Sequence, residues 1–352
     1  MSDPLSEPLF SVCIPQFNRS SFLLQSLNRL QEQTGAEFEV CISDGGSTDG
    51  RAQEIVGFLR DSGMSYRYEV QKKPAPYDQN LRAAIGLAGG RYCFLLGNDD
   101  MLAAKTTLQY VGQIVETHGF PEVVVTNYHE LSTGRDFRRV LKTDIIGKGI
   151  NAAVSNFRNY SFVSGILLNR ELAEKHATEK WDGSEMYQTF LATRILAGGG
   201  RLLGITDTVV LKDIQIEGEQ VDSYARRERV VGPIKERVLP LAQLGRVVVD
   251  AMLPYVSRAN MSRVVRNVFR QLLVFTYPPW LIEYRRIQSW RYAAGVALSM
   301  RPRNICEGIR VDWPSKLYLR LLYGVVTLAG LLFPVNLFER IKPRLHRLAK
   351  RL

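Results

Sequence analysis

The sequence predicts an α/β protein whose mostly parallel sheet is followed by a helical region. Short apolar runs alternate with helical stretches over residues 10–100, which is typical of βαβ units. Charge also divides the chain: residues 221–352 hold 24 of the 46 Lys and Arg and 8 of the 35 Asp and Glu, a net of +16, which leaves 22 and 27 in 1–220, a net of −5. We therefore expect the two parts to meet different partners.

Seven apolar runs, each beside a polar turn, are the expected strands. Ser20 can begin a helix after the first run, because the leucines at 23, 24, 27 and 30 recur at helical spacing. Another helix is expected over 184–197, between the last two runs. The seven expected strands are 10–15, 38–43, 66–71, 91–97, 121–128, 162–169 and 201–211.

Strand signals fade after this point, which predicts a sheet domain over 1–218 and a helical region over 219–352. With 45% hydrophobic residues the chain can bury a sizeable core, so disorder is not expected. Three of the four cysteines fall in expected strands and no CxxC pair occurs, which favours a reduced, cytosolic protein. The first residues lack the basic and apolar segments of a secretory signal, in agreement with that expectation.

Three polar segments follow three of the expected strands. They close the stretches SVCIPQFNR (11–19), VCISDGGSTDG (40–50) and RYCFLLGNDD (91–100). In open α/β sheets the ligand crevice lies beyond the carboxyl ends of the strands. Asp44 at such an end can accept hydrogen bonds from a nucleobase or ribose edge. An acidic turn with a helix cap explains the residues after it, but does not require Asp44 itself.

The third segment delivers Asn98, Asp99 and Asp100 to a strand end. Paired carboxylates suit a hard divalent cation that takes its other ligands from water and substrate phosphates. An ordinary acidic turn is the alternative for this pair considered alone. Other catalytic signatures are absent, since the four His lack HExxH spacing and neither a GxSxG elbow nor a phosphate-binding loop occurs.

Together these segments resemble the family 2 glycosyltransferases of the GT-A fold, over about residues 9–215. The family pattern is a strand ending in a Pro-x-x-Asn-Arg turn, an Asp-Gly-Ser-Thr-Asp turn and an aspartate-rich strand end. The matches here are 15–19, 46–49 after Asp44, and 98–100. The resemblance implies a mixed, mostly parallel sheet flanked by helices, with a nucleotide-sugar donor bound at its edge.

The resemblance also implies residue roles at that edge. Asp99 matches the metal-binding acid and Asp100 follows it, so both are predicted ligands of Mg²⁺ or Mn²⁺. The first acid of the family's Asp-x-Asp motif falls at Gly97. The resemblance implies that the residues at 78, 80 and 82 face the donor. The alternative for each of them is an exposed position at the start of a helix. The predicted donor-binding residues are Pro15, Asn18, Arg19, Asp44, Asp78, Asn80, Arg82 and Asn98.

The family's later Glu-Asp pair, near the acceptor, appears here as Glu185-Met186. Glu185 is therefore the predicted general base, with Asp182 in reserve. In an inverting transfer the base removes the acceptor's hydroxyl proton during attack on the anomeric carbon. A metal ion neutralises the charge that grows on the nucleoside diphosphate leaving from the opposite face.

The basic region is predicted to attach to a membrane. In 261–275 three arginines recur at i, i+3 and i+7 opposite an apolar face, which suits an interfacial plane, while a globular helical subdomain is the alternative. The run 321–338 has no charge and is close to spanning length, but basic residues flank both ends. An in-plane or re-entrant hairpin broken at Pro334 is therefore expected. Nucleic acid is not an expected partner, because the aromatics lie in apolar settings.

We thus expect an inverting, metal-dependent transferase at the cytoplasmic face of an anionic membrane. Its expected acceptor is a lipid-linked (polyprenyl-diphosphate) glycan in surface polysaccharide synthesis, such as that of O-antigen. Within the enzyme class, a protein or soluble glycan acceptor is the alternative. Outside it, Gly97 and Met186 permit a donor-binding membrane scaffold that has lost turnover.

Overall fold

The computed structural model describes residues 7–219, 240–287, 290–338 and 340. The chain forms two compact units, Met1–Arg226 and Arg227–Leu352, here called the N-terminal and C-terminal units. The stretch 220–239, just beyond the predicted boundary after residue 218, lies outside the described residues.

In residues 7–219, the described part of the N-terminal unit, the strands form a ten-stranded sheet. Its strands are β1 (Phe10–Gln16), β2 (Phe38–Asp44), β3 (Ser65–Val70), β4 (Tyr92–Leu95), β5 (Met101–Leu102), β6 (Val123–Glu130), β7 (Arg135–Phe137), β8 (Asp144–Lys148), β9 (Ile166–Asn169) and β10 (Arg201–Lys212). The order is β3-β2-β1-β4-β9-β6-β10-β5, with β7 on β6 and β8 on β10. β1 pairs in parallel with β2 and β4, whereas β9 enters antiparallel between β4 and β6. The predicted mixed α/β sheet is confirmed.

Helices connect these strands, as the alternating pattern predicts. They are α1 (Ser20–Gln31), α2 (Ala52–Asp61), α3 (Tyr77–Gly86), α4 (Thr107–Thr117), α5 (Gly149–Asn156), α6 (Arg170–Lys175) and α7 (Tyr187–Ala197), with a 3₁₀ turn at Phe157–Tyr160. Leu23, Leu27 and Leu30 of α1 are buried on its inner face, while Leu24 is half-buried. The helix predicted over 184–197 begins three residues later, at Tyr187.

The core explains where polar residues can lie. Strands β1, β2 and β4 are buried along almost their whole length, as Val12, Val40 and Phe94 illustrate. Parallel strands covered on both faces consist of near-continuous apolar residues. Functional polar side chains are therefore confined to the strand ends. The cysteines at 13, 41 and 93 lie in these strands as buried, free thiols.

The C-terminal unit is helical in its described part. Its helices are α8 (Pro240–Met252), α9 (Arg258–Gln271), α10 (Tyr277–Ile287), α11 (Trp290–Ser299), α12 (Pro302–Ile305) and α13 (Trp313–Leu332), with a π-helical turn at Leu272–Thr276 between α9 and α10.

The structure changes the interpretation of the basic helix predicted in 261–275. Val264, Val268 and Leu272 on its apolar face are buried, whereas Arg263 and Arg270 are exposed. The apolar face is covered by the helix's own unit and is not left open to an interface. For this helix the alternative of a globular helical subdomain describes the structure better.

The uncharged run predicted from residue 321 belongs to a longer helix. α13 begins at Trp313 and includes Lys316 and Arg320, and it ends at Leu332, just before Pro334, where a break is predicted. By length and composition alone it is able to cross a membrane, and most of it is not buried. Core helices and signal sequences can pass the same test of length and hydropathy, so this property is weak support for a span.

Candidate active site

Three polar turns meet at the carboxyl ends of β1, β2 and β4. Asn18 joins the first two: its side-chain oxygen accepts the N–H of Thr48 at 2.7 Å, and its own N–H donates to Ser47 Oγ at 2.7 Å. Asn98 joins the third, because its amide donates to Gln16 Oε1 at 2.8 Å. Asn18 and Asn98, predicted to bind the donor, therefore hold the turns together in this structure.

The turn after β1 is shaped by two residues with left-handed backbone, Asn18 (φ 51°) and Arg19 (φ 58°). That conformation ends the strand and lets α1 begin at once at Ser20. Pro15 precedes this turn, buried inside β1 and paired with Ser43 of β2. Pro15 is therefore part of the sheet that supports the turn, and its predicted donor contact stays a prediction.

Asp44 is a buried carboxylate at the end of β2 with three donors. Its Oδ1 accepts the N–H groups of Gly46 at 3.1 Å and Ser47 at 2.7 Å, and its Oδ2 accepts the hydroxyl of Tyr68 at 2.8 Å. Burial and the adjacent Asp44 raise the pKa of the Tyr68 hydroxyl above its usual range. A carboxylate has about four acceptor positions, so Asp44 retains room for one further donor.

Arg19 and Asp99 form an ion pair, with Nη1 and Oδ2 2.5 Å apart. Both side chains are partly exposed, and the Arg19 guanidinium also lies over the ring of Phe22. The predicted donor-binding arginine and the predicted metal-binding carboxylate are therefore direct neighbours. This pairing joins the end of β1 to the end of β4.

Asp100, predicted as a second metal ligand, turns the other way. It is 2% exposed; its Oδ2 accepts the hydroxyl of Ser164, and its Oδ1 accepts the N–H of Asp213 at 3.0 Å. Burial and the nearby Asp99 raise the pKa of Asp100 well above its usual value. Residues 97–100 form a turn closed by the Asp100 N–H on the Gly97 carbonyl at 3.1 Å, and within it Asp99 stays partly exposed while Asp100 is buried. Asp100 instead fixes the strand end to the loop behind it.

Residue 97 is a glycine where the Asp-x-Asp motif has its first aspartate, and the structure gives a steric reason for this difference. A Cβ at this position would lie 2.9 Å from Asp100 Oδ2 and 3.2 Å from Asp99 Oδ1. The inward position of Asp100 therefore excludes a larger residue at 97. Among the described residues, no cluster of three or more His, Cys, Asp or Glu could hold a metal ion.

Helix α3 has two functional faces, which the sequence does not separate. Asn80 faces the donor turns: its amide donates to the Gln16 carbonyl at 2.7 Å, and its buried Oδ1 has no partner among the described residues. Asp78, also predicted to face the donor, points instead to the start of α7. Its carboxylate accepts the N–H groups of Glu185 at 2.8 Å and Tyr187 at 3.0 Å.

Arg82 extends the same contact. Its guanidinium pairs with both oxygens of Asp182, at 2.5 and 2.8 Å, and donates to the Thr178 carbonyl at 3.0 Å. It also lies over the ring of Tyr187. The donor-facing role predicted for Arg82 is therefore not what this arrangement shows. Asp182, the second candidate for the general base, already forms an ion pair with Arg82.

Glu185 is the partly exposed carboxylate of the segment that Asp78 and Arg82 hold. Its backbone is left-handed, with φ 60°, which is uncommon for a residue with a side chain. Such a conformation costs on the order of 1–3 kcal/mol and persists where the surroundings enforce it. The two N–H groups bound to Asp78, on either side of Met186, supply that enforcement.

No motif in the sequence points to Arg139, which lies in a polar segment that resembles a surface loop. Its guanidinium donates to the carbonyl oxygens of Thr126 at 2.5 Å, Phe162 at 3.0 Å and Ser164 at 2.8 Å. Burial lowers the pKa of Arg139 to about 10. Through Ser164, this cation supports the loop that anchors Asp100.

Comparison with known proteins agrees with this geometry. Residues 11–176 match the model of glycosyl transferase family 2. The chain is 37% identical over 97 residues to abequosyltransferase RfbV of Salmonella typhimurium, covering 27% of this chain and 29% of that protein. It is 30% identical over 114 residues to the PGL/p-HBAD biosynthesis glycosyltransferase of Mycobacterium tuberculosis, covering 32% of this chain and 44% of that protein. The matches thus span less than half the length of these relatives.

Solved structures show the same fold at low sequence identity. S. aureus TarS residues 1–349, in complex with UDP-GlcNAc, has a TM-score of 0.63 and 14% identity over 92% of this chain and 90% of that one. The mannosyltransferase PcManGT of Pyrobaculum calidifontis, in complex with GDP-Man and Mn²⁺, has a TM-score of 0.51 and 16% identity over 94% of this chain and 89% of that one. The predicted GT-A fold is confirmed.

Proposed function

Because residues 11–176 match the model of glycosyl transferase family 2, we propose that this chain transfers a sugar from a nucleoside-diphosphate donor to a lipid-linked glycan. The observation that carries the proposal is the Arg19–Asp99 ion pair at the ends of β1 and β4. A guanidinium suits a diphosphate, and a carboxylate suits the divalent cation that accompanies it. Both charges that such a donor requires lie side by side.

Relatives support a role in polysaccharide or glycolipid synthesis, since those reported above include an abequosyltransferase and an enzyme of PGL biosynthesis. Two solved neighbours are described with the nucleotide sugars UDP-GlcNAc and GDP-Man. The proposed acceptor is a polyprenyl-diphosphate glycan used for a surface polysaccharide. Such an acceptor would place the enzyme at the cytoplasmic face of the inner membrane, as a peripheral or monotopic protein, and the basic region 221–352 suits that surface.

The residues present fit one divalent ion held by a single carboxylate. Mg²⁺ uses one or two carboxylates together with waters and substrate phosphates, so Asp99 alone is sufficient. Asp100 takes no part in this scheme, because its oxygens bind Ser164 and Asp213. Mg²⁺ or Mn²⁺, when bound, would neutralise charge on the leaving diphosphate. Arg19 would then transfer its ion pair from Asp99 to a phosphate oxygen.

Two buried hydrogen-bond acceptors support the proposal that a nucleotide binds in the same crevice. Asp44 has room for one more donor, and Asn80 Oδ1 has no partner among the described residues. Buried polar atoms in native proteins are almost always paired, so an unpartnered acceptor calls for a ligand or a water molecule. Donor groups on a nucleobase or ribose would satisfy both residues.

In the proposed mechanism Glu185 is the general base of an inverting reaction. The acceptor hydroxyl gives its proton to Glu185 as its oxygen bonds to the anomeric carbon, and the nucleoside diphosphate leaves from the opposite face with the bonding electrons. A positioned base of this kind contributes about 10²–10⁴-fold in rate. Asp78 and Arg82 hold the segment that carries Glu185.

The proposal is tested by transfer assays with the full chain. UDP-, GDP- and CDP-sugars are offered with Mg²⁺, with Mn²⁺ or with neither ion, against a detergent-dispersed polyprenyl-diphosphate glycan, a free oligosaccharide and a peptide. We expect metal-stimulated product on the lipid-linked acceptor from one donor class. If product forms only on the free glycan or only on the peptide, that molecule is the acceptor and the lipid-linked glycan is not. Saturable donor binding without turnover on any acceptor would mean that the protein is a donor-binding scaffold and not an enzyme.

A further inference from the structure

Helix α13 exposes an unbroken line of apolar side chains on one face. These residues recur every three or four positions, so they stand above one another along the helix. They range from 37% exposed at Leu317 to 70% exposed at Leu332. We call this line the α13 stripe; it consists of Leu317, Leu321, Val325, Leu328 and Leu332.

The opposite face of α13 is fixed to its own unit along its length. The Tyr323 hydroxyl donates to the Ala297 carbonyl at 2.7 Å, and Thr327 Oγ1 lies 2.8 Å from the Tyr277 hydroxyl. Near the C-terminal end Gly330 packs so closely on Leu281 that an added Cβ would lie 2.9 Å from its Cδ1. The Arg285 guanidinium donates to backbone carbonyls at that end, including Gly330 O at 3.4 Å.

These contacts make α13 two-sided. A helix surrounded by hydrocarbon would have to give up the hydrogen bonds of Tyr323 and Thr327 and the contacts of Gly330. A helix lying flat against a bilayer keeps all of them and buries only the stripe. These contacts therefore favour an in-plane arrangement, one of the two expected from the sequence, over a spanning or a re-entrant helix.

The charged and aromatic residues around the stripe indicate what kind of partner covers it. Residues 313–338 contain no Asp or Glu, while Lys316 and Arg320 lie at the N-terminal end of the stripe. Trp313, 69% exposed, and Tyr318, 39% exposed, lie at the same end. Trp and Tyr favour the headgroup level, and basic residues favour anionic lipid. The stripe of a second copy would bring no acidic side chain from residues 313–338 to these basic residues, whereas an anionic bilayer supplies negative charge along its whole surface.

We propose that the α13 stripe is the membrane-contacting surface of this protein and lies in the plane of an anionic bilayer, with its leucines and valine in the acyl boundary and Trp313 at the headgroups. The inference extends the proposed function, since it assigns a surface to the lipid partner. The helix is about 30 Å long at 1.5 Å per residue, so the stripe offers an extended contact.

The test compares two double variants of the full chain that change charge equally. Leu321→Glu with Leu328→Glu alters the stripe, and Leu141→Glu with Leu253→Glu alters exposed leucines elsewhere. All four positions are exposed, so circular dichroism and thermal unfolding should match the wild type. Binding is measured by flotation on phosphatidylcholine vesicles, with and without phosphatidylglycerol, at low salt and at 0.5 M salt.

We expect the stripe variant to lose about tenfold or more in affinity for anionic vesicles, most clearly at high salt, where basic residues are screened. The control variant should stay within about twofold of the wild type. Equal binding by both variants would overturn the inference. A dimer in sedimentation experiments that only the stripe variant disrupts, with vesicle binding unchanged, would assign the stripe to a second copy. If the wild type resists extraction from membranes by alkaline carbonate, α13 spans the bilayer and does not lie in its plane.

Failure of the proposed function gives a different pattern. A chain with no transferase activity whose stripe variant still loses vesicle binding would keep the membrane surface and reject the enzyme. A stripe variant that binds vesicles normally, in an active transferase, would keep the enzyme and reject the surface.

Discussion

The carboxylate of Asp78 accepts the backbone N–H of Glu185 at 2.8 Å, across 107 positions of sequence. Helix α3, which carries Asn80 at the donor turns, therefore also holds the segment of the candidate base. The two sides of the proposed reaction share one rigid element.

Glu185→Gln should keep nucleoside diphosphate affinity within a few-fold and lose on the order of 10²-fold or more in kcat, because the amide cannot take the acceptor proton. Steady-state kinetics with the lipid-linked acceptor measures both quantities. Asp182→Asn removes the reserve carboxylate and weakens its pairing with Arg82, so its kcat should fall less than that of Glu185→Gln. If Glu185→Gln turns over normally and Asp182→Asn does not, the base has been assigned to the wrong carboxylate.

Asp78→Asn should lower kcat by about 10- to 100-fold with little change in donor KM, because the segment carrying Glu185 would lose its position. A double-mutant cycle separates positioning from general damage. In the Glu185→Gln background the Asp78→Asn change should have almost no further effect on kcat. Additive losses in the double variant would mean that Asp78 does not act through Glu185.

Asp78 should also make stability depend on pH. Burial raises the pKa of Asp78 above its ordinary 3.8. The folded chain then keeps this proton to a higher pH than the unfolded chain, so unfolding releases a proton and stability falls as pH rises from near 4 upward. Urea unfolding between pH 4 and 7 should show a steeper decline for the wild type than for Asp78→Asn. Parallel curves for the two proteins would contradict the shift.

Asp99→Ala and Asp100→Ala should fail in different ways. Asp99→Ala should abolish transfer and metal-dependent donor binding while folding normally, because its side chain is partly exposed. Asp100→Ala should be milder on metal-dependent binding but cost about 1–3 kcal/mol in unfolding free energy, since Ser164 and the Asp213 N–H lose their acceptor. Calorimetric titration with Mn²⁺ and nucleotide, beside thermal unfolding, distinguishes them. Wild-type metal stimulation in Asp99→Ala would remove the metal assignment.

Gly97→Asp restores the acid that the family motif has at this position, yet it should impair the protein. The new Cβ would press on Asp100 Oδ2 at 2.9 Å, and overpacking of this kind costs about 1–3 kcal/mol. Transfer activity should fall together with the melting temperature. A gain in metal affinity at unchanged stability would show that Asp100 moves aside easily.

Much of the fold was predictable because buried parallel strands leave continuous apolar runs in the sequence. The order of the three polar turns was enough to predict that Arg19, Asp44 and Asp99 share one edge of the sheet, since carboxyl ends of parallel strands converge.

Side-chain direction was not predictable in the same way. Asp99 and Asp100 are chemically identical neighbours, and only the local backbone decides which faces out. Asp78 and Asn80 lie two residues apart on α3, yet one meets the acceptor-side segment and the other the donor turn. Contacts across about a hundred positions, such as Arg82 with Asp182, leave no local pattern to detect.

Arg139 has a consequence for how this chain can vary during evolution. Arginine and lysine usually replace one another freely in polar loops, but the Arg139 guanidinium binds three separate carbonyl oxygens through three different nitrogens. A lysine ammonium has one nitrogen and cannot span that fork. In a saturation library this loop position should therefore tolerate as few replacements as an interior one, despite its polar neighbours.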